Sequence, residues 1–76
     1  RESHEQALAT VELLLVLWPE AAEHVRIRGL LYEQLECFAS ALSDFRRYLT
    51  LAPEAQPAAE VREHMHHLER VTTTLH

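Results

Sequence analysis

The side chains with the most obvious chemistry sit near one end of the chain, where His64, His66 and His67 follow closely on Glu60. Residues spaced i, i+4 and i+7 share one face of a helix, so Glu60, His64 and His67 could present three ligands to a divalent metal. The spacing is neither His-Glu-x-x-His nor a Cys/His set, and His66 falls on another face. Solvated helix imidazoles, titrating near about pH 6.5 when unperturbed, account for the cluster more simply. No metal and no cofactor is expected. Arg26, Leu30 and Glu33 repeat the spacing and place a cation, an apolar side chain and a carboxylate on one stripe beside Glu23 and Gln34. Cys37 has neither a base nor an oxyanion site in the surrounding sequence, and Glu36 beside it disfavours a thiolate, so a small residue at the edge of the core is expected. With Gly29 as its one glycine, the chain cannot form a phosphate-cradling loop. Nothing in the residue types marks an enzyme.

These side chains need elements to hold them, and length and composition limit the choice. Seventy-six residues, 47% hydrophobic and 25% charged, make one small globular domain that buries about 60–65% of its unfolded surface. The formal charge of −5, with arginine as the only strong base, argues against a nucleic-acid groove. The apolar run from Leu13 to Trp18 is too short to span a bilayer, and no signal peptide opens the chain. A single cysteine suits a reducing, cytoplasmic setting. The chain does not begin with Met, so a part of something longer is expected.

The sequence also repeats. Pro19 and Pro53 lie 34 residues apart, and at the same offset Ala7/Ala41, Leu8/Leu42, Leu15/Leu49, Leu17/Leu51, Glu20/Glu54 and Ala21/Ala55 are identical. Ala7, Leu8, Val11, Leu14 and Leu15 follow a one-face helical stripe, and Ala41, Leu42, Phe45, Tyr48 and Leu49 repeat it. Proline lacks an amide donor and disfavours helix in the residue before it, so both stripes should stop near Trp18 and Ala52. Val25, Leu31, Tyr32 and Leu35 mark a helix over about 22–35, with a turn around Glu36–Phe38. Ala58, Val61, Met65, Leu68 and Thr72 mark a last one. No strand pattern is present. The expected fold is all-α: an antiparallel helix-turn-helix stack of four helices.

The 34-residue period resembles the tetratricopeptide repeat, whose pattern W-x2-L-G-x2-Y, A-x3-F and P stands here as Val25-x2-Arg28-Gly29-x2-Tyr32, Ala41-x3-Phe45 and Pro53. Gly29 and Ala41 are small enough for two helices to approach closely, and Tyr32, Phe38 and Phe45 fill the space between them. The resemblance implies one domain over 1–76: the second helix of a truncated repeat at 1–18, a complete repeat at 22–55, and a capping helix at 57–72. Arg28 stands where the pattern wants an apolar side chain, and is expected to pair with a carboxylate such as Glu12 or Asp44. In the first helix, Leu14, Leu15 and Leu17 should face inward. Leu13, Val16 and Trp18 should lie on a surface that an upstream segment covers, forming a docking or dimer face.

From "LLLVLWPE" through "RIRGLLYEQLECFASALSDF" to the final "LH", the chain also resembles the C-terminal tail of bacterial transglutaminase-like/tetratricopeptide proteins described as regulators of SirC expression. Nothing here corresponds to the cysteine–histidine machinery of their upstream domain. The resemblance implies a non-catalytic protein-interaction module whose concave helices bind a protein or peptide, with Arg26, Leu30, Glu33, Gln34, Glu60, His64 and His67 as candidate contacts. An anionic group would face Arg26 and an apolar anchor would meet Leu30. The Lys/Asn carboxylate clamp of well-known tetratricopeptide modules is not expected, because lysine is absent and Leu30 intrudes. The alternative is a structural module that docks on the upstream domain of its own chain or dimerises through the first helix.

Overall fold

The computed structural model describes the backbone of residues 2–74 and the side chains of residues 3–73. The terminal Leu75 and His76 that contribute to the family likeness lie outside the described residues. Four helices follow one another: α1 Glu2–Leu17, α2 Ala22–Gln34, α3 Phe38–Leu51 and α4 Ala58–Thr74. Each packs against its neighbour in sequence, α2 and α3 most extensively. The result is a flat slab of 36 × 33 × 16 Å.

Proline sets the ends. α1 stops at Leu17, two residues before Pro19, and α3 at Leu51, two before Pro53. The Pro57 carbonyl accepts the Val61 N–H at 3.0 Å, so this proline opens α4, where its missing donor costs nothing. The α2–α3 turn is tighter than expected, and Phe38 already begins α3. Glu36 adopts φ 62° there. The Glu36 N–H donates to the Glu33 carbonyl at 3.0 Å, and the Cys37 N–H to the Tyr32 carbonyl at 2.8 Å. These are the paired bonds of a Schellman ending, which glycine ordinarily fills because a Cβ is unfavourable in the left-handed region. Glu36→Gly is therefore expected to raise the unfolding free energy by about 0.5–1 kcal/mol, read from the midpoint of urea denaturation. An unchanged or lower midpoint would show that the turn holds no such strain.

The core runs through all four helices: Val11 and Leu15 from α1, Val25 from α2, Ala41, Leu42, Phe45 and Tyr48 from α3, and Ala58, Val61 and Leu68 from α4. Gly29 lies against the Phe45 ring. A Cβ on Gly29 would fall 2.6 Å from Phe45 Cε1 and 2.9 Å from Cδ1. The close approach inferred from the sequence is thus between a bare backbone and a fully buried ring.

Among the carboxylates near Arg28, Asp44 is the one that engages it. Arg28 Nε and Nη2 donate to Asp44 Oδ2 and Oδ1, each at 2.8 Å. Asp44 is the one buried polar or charged side chain among the described residues, and the fork joins α2 to α3 beneath the Tyr32 ring. This hydrogen bonding raises the Arg28 pKa, and Glu12 acts on it only at longer range. Arg28 is consequently an internal strut rather than a charge presented to a partner.

Two expectations are corrected. Leu17 does not face inward: it is 66% exposed, because it lies about 200° around the helix from the buried Leu15. Cys37 is exposed rather than at the core edge, because the turn carries it outward just before α3 begins. Its thiol reaches only the Leu35 carbonyl, at 3.8 Å.

Candidate functional site

A polar concavity opens between α2 and α4. It is an open cleft of about 360 Å³ lined by Glu33 from α2 and Glu60, Glu63, His64 and His67 from α4. The spacing i, i+3, i+4, i+7 carries the four α4 residues onto one stripe. Val61 and Leu68 anchor the opposite side of that helix in the core.

His64 ties the two helices together. Its ring lies 5.7 Å from the Phe45 ring, centroid to centroid, and its Nδ1 stands 3.0 Å from Glu33 Oε1. That carboxylate oxygen is buried and takes no well-aligned hydrogen bond, so the contact becomes an ion pair when the imidazole carries a proton. His67 is exposed along the cleft, while His66 points away, 3.9 Å from Glu69. Among the described residues no group of three His, Cys, Asp or Glu side chains could hold a metal ion.

The structure therefore brings Glu33, Glu60, His64 and His67 together. It adds Glu63, which sequence reasoning missed although it lies on the same stripe, three residues after Glu60. The remaining candidates stand differently. Arg26 is already engaged: its Nε donates to Glu23 Oε2 at 3.0 Å, and its Nη2 to Glu23 Oε1. This bonding holds the Glu23 carboxyl below its ordinary value and raises Arg26, to which Glu60 adds a smaller favourable field. An anion arriving at Arg26 must displace Glu23. Leu30 is half-buried and packs against the core, and Gln34 is exposed at the end of α2. The cleft is thus an acidic notch with two imidazoles, not a cationic one.

A second concavity, of about 440 Å³, lies at the α1–α2 turn and is lined by Leu17, Trp18, Pro19, Glu20 and Ala21. Leu13, Val16 and Trp18, the expected docking surface, are 69%, 78% and 57% exposed. No described helix is long and apolar enough to cross a membrane.

Comparison with known proteins gives a consistent picture. The chain is 35% identical over 72 residues to a UPF0162 protein of Buchnera aphidicola from Acyrthosiphon pisum, covering 95% of this chain and 27% of that protein. The same identity and coverage relate it to Protein SirB1 of Salmonella typhimurium. A UPF0162 protein of Xylella fastidiosa is 38% identical over 71 residues, covering 91% of this chain and 25% of the relative. The chain therefore spans about a quarter of the length of these curated relatives. No solved structure matches it significantly. The tetratricopeptide repeat profile matches residues 1–66. With the four-helix stack and the Gly29–Phe45 contact at the positions the repeat demands, the chain belongs to the tetratricopeptide repeat family.

Proposed function

We propose that the chain is a non-catalytic protein-interaction module that receives a segment of another protein on its α2–α4 face, with a basic side chain entering the cleft. The carrying observation is the cleft itself, which Glu33, Glu60 and Glu63 line while Arg26 on α2 is held by Glu23. Carboxylates on two helices suit an arginine or lysine better than an anion, since charge-assisted bonds favour the opposite sign. Tetratricopeptide repeats ordinarily bind proteins or peptides, which supports the class. On this reading α2 and α3 form the complete repeat, α1 is the second helix of the repeat before it, and α4 is a cap. A cytoplasmic setting suits the exposed free Cys37. The likeness to proteins named SirB1 supports a regulatory role. On this reading, the resemblance of the sequence to transglutaminase-like/tetratricopeptide tails supports setting that role in a longer transglutaminase-like protein.

Glu60 and Glu63 are exposed, so Glu60→Lys/Glu63→Lys should leave the helices intact by circular dichroism while reversing the cleft's charge. In affinity capture, a partner held by wild type is expected to bind the double variant about tenfold more weakly or not at all, and to lose affinity as salt rises. If both proteins capture the same set, or neither captures anything, the cleft is not a recognition surface.

A further inference from the structure

α1 carries a second surface, and its character follows from comparing the chain with itself. Leu13, Val16 and Leu17 lie on the side of α1 opposite the buried Val11 and Leu15, and all three are more than 65% exposed. The last five residues of α1, Leu13 to Leu17, are therefore apolar all round, a pattern that belongs to helices covered on every side. The repeat geometry supplies that cover for Leu17, whose counterpart Leu51 packs against the core, but not for Leu13 and Val16. Thirty-four residues later the positions of Leu13 and Val16 are taken by Arg47 and Thr50. α3 packs on helices before and after it, yet leaves both of those residues in water. A helix stacked before α1 in the same manner would leave Leu13 and Val16 exposed too. Their apolar character answers to something outside the repeat stack.

The surroundings of the patch limit what that is. Glu5, Glu12 and Glu20 are exposed along α1 and at its end, and α1 carries no arginine among its described residues. At the end of the stripe the exposed Trp18 and the Glu20 carboxylate share one pocket with Leu17 and Pro19. An indole face beside a carboxylate suits the stem and head of an arginine or lysine: the ring takes the cation on its face and the carboxylate takes the hydrogen bond. A second copy of this chain fits poorly, because a two-fold contact would set the same carboxylates against one another and each copy carries a charge of −5.

We propose that the outer face of α1 docks an amphipathic helix of a partner protein, its apolar side on Leu13 and Val16 and a basic residue between Trp18 and Glu20. This surface lies at the other end of the chain from the α2–α4 cleft and does not depend on it.

Trp18 is the only tryptophan, so its emission reports directly on whether it is covered. The probes are two synthetic amphipathic helical peptides with the same leucine face, one flanked by arginines and one by glutamates. The arginine peptide is expected to shift Trp18 emission to the blue with saturation, and the glutamate peptide to bind at least about tenfold more weakly. Leu13→Asp/Val16→Asp should abolish the shift and Glu20→Arg should weaken it about tenfold, both with unchanged circular dichroism. Equal response to the two peptides, response to neither, or a shift that survives Leu13→Asp/Val16→Asp overturns the proposal. Sedimentation supplies one further outcome against it: a wild-type dimer that Leu13→Asp/Val16→Asp returns to monomer would make a second copy the occupant.

Discussion

Arg28→Ala is expected to lower the unfolding free energy by about 3 kcal/mol, the low end of the range for breaking a buried ion pair. The low end applies because the Arg28 side chain keeps 26% exposure, so water shares its charge, whereas Asp44 at 6% has no such recourse. The loss comes mostly from the carboxylate left behind, since an uncompensated buried charge costs more than the pair contributes. The same reasoning predicts that Arg28→Met/Asp44→Leu recovers most of the loss. Urea denaturation of the two variants beside wild type tests both statements. An unchanged midpoint for Arg28→Ala would mean that water or another donor satisfies Asp44 without the guanidinium.

The second large effect is expected at Gly29. Gly29→Val should cost about 3 kcal/mol, because its Cβ already meets Phe45 Cε1 at 2.6 Å and its two methyl groups crowd the site further. Phe45 is fully buried between α2 and its neighbours, so the ring cannot swing into solvent. Gly29→Ala sets the same clash against a helix-propensity gain of about 1 kcal/mol and should be milder. Phe45→Leu shortens the offending side chain, so it should make Gly29→Ala less damaging than in the wild-type background. Thermal melts of the four combinations measure that coupling. Additive losses would place the strain elsewhere than at the ring. A chain of this size holds on the order of 4–11 kcal/mol in all, so either single change removes a large part of it.

What the sequence disclosed and what it withheld divide along physical lines. The 34-residue offset and the two proline stops were legible because periodicity and the lost amide donor act through the local chain. The close approach of helices at Gly29 was legible because a missing side chain allows it, but that the Phe45 ring is what lies there was not. The outward position of Leu17 was not, since a stripe assigns a residue to a side of a helix without saying whether a neighbour stands there. The choice of Asp44 over Glu12 depended on how a long guanidinium reaches across two helices. Glu23 closing on Arg26 turned an expected anion-binding face into an acidic one, a result of local pairing that spacing alone cannot rank. Glu63 was available by spacing but carries the same charge as Glu60 and offers no distinctive chemistry. The left-handed Glu36 was hidden because the residue that usually marks such a turn is absent.

Each helix in this slab rests chiefly on the next one along the chain, and that arrangement governs how the molecule comes apart. Interactions that close only short loops form early and cheaply in entropy, so folding should be fast for the chain's length. Opening should begin at the two ends, where α1 and α4 are each held mainly on one side, and move inward. Amide hydrogens of α3, enclosed by α2 and α4 and bearing Phe45 and Tyr48, should then be the last to exchange with solvent. The α2–α4 cleft spans that gradient, with one wall on an inner helix and the other on a fraying one. A segment bound across it would slow exchange most in α4, fastening the looser end to the firmer middle.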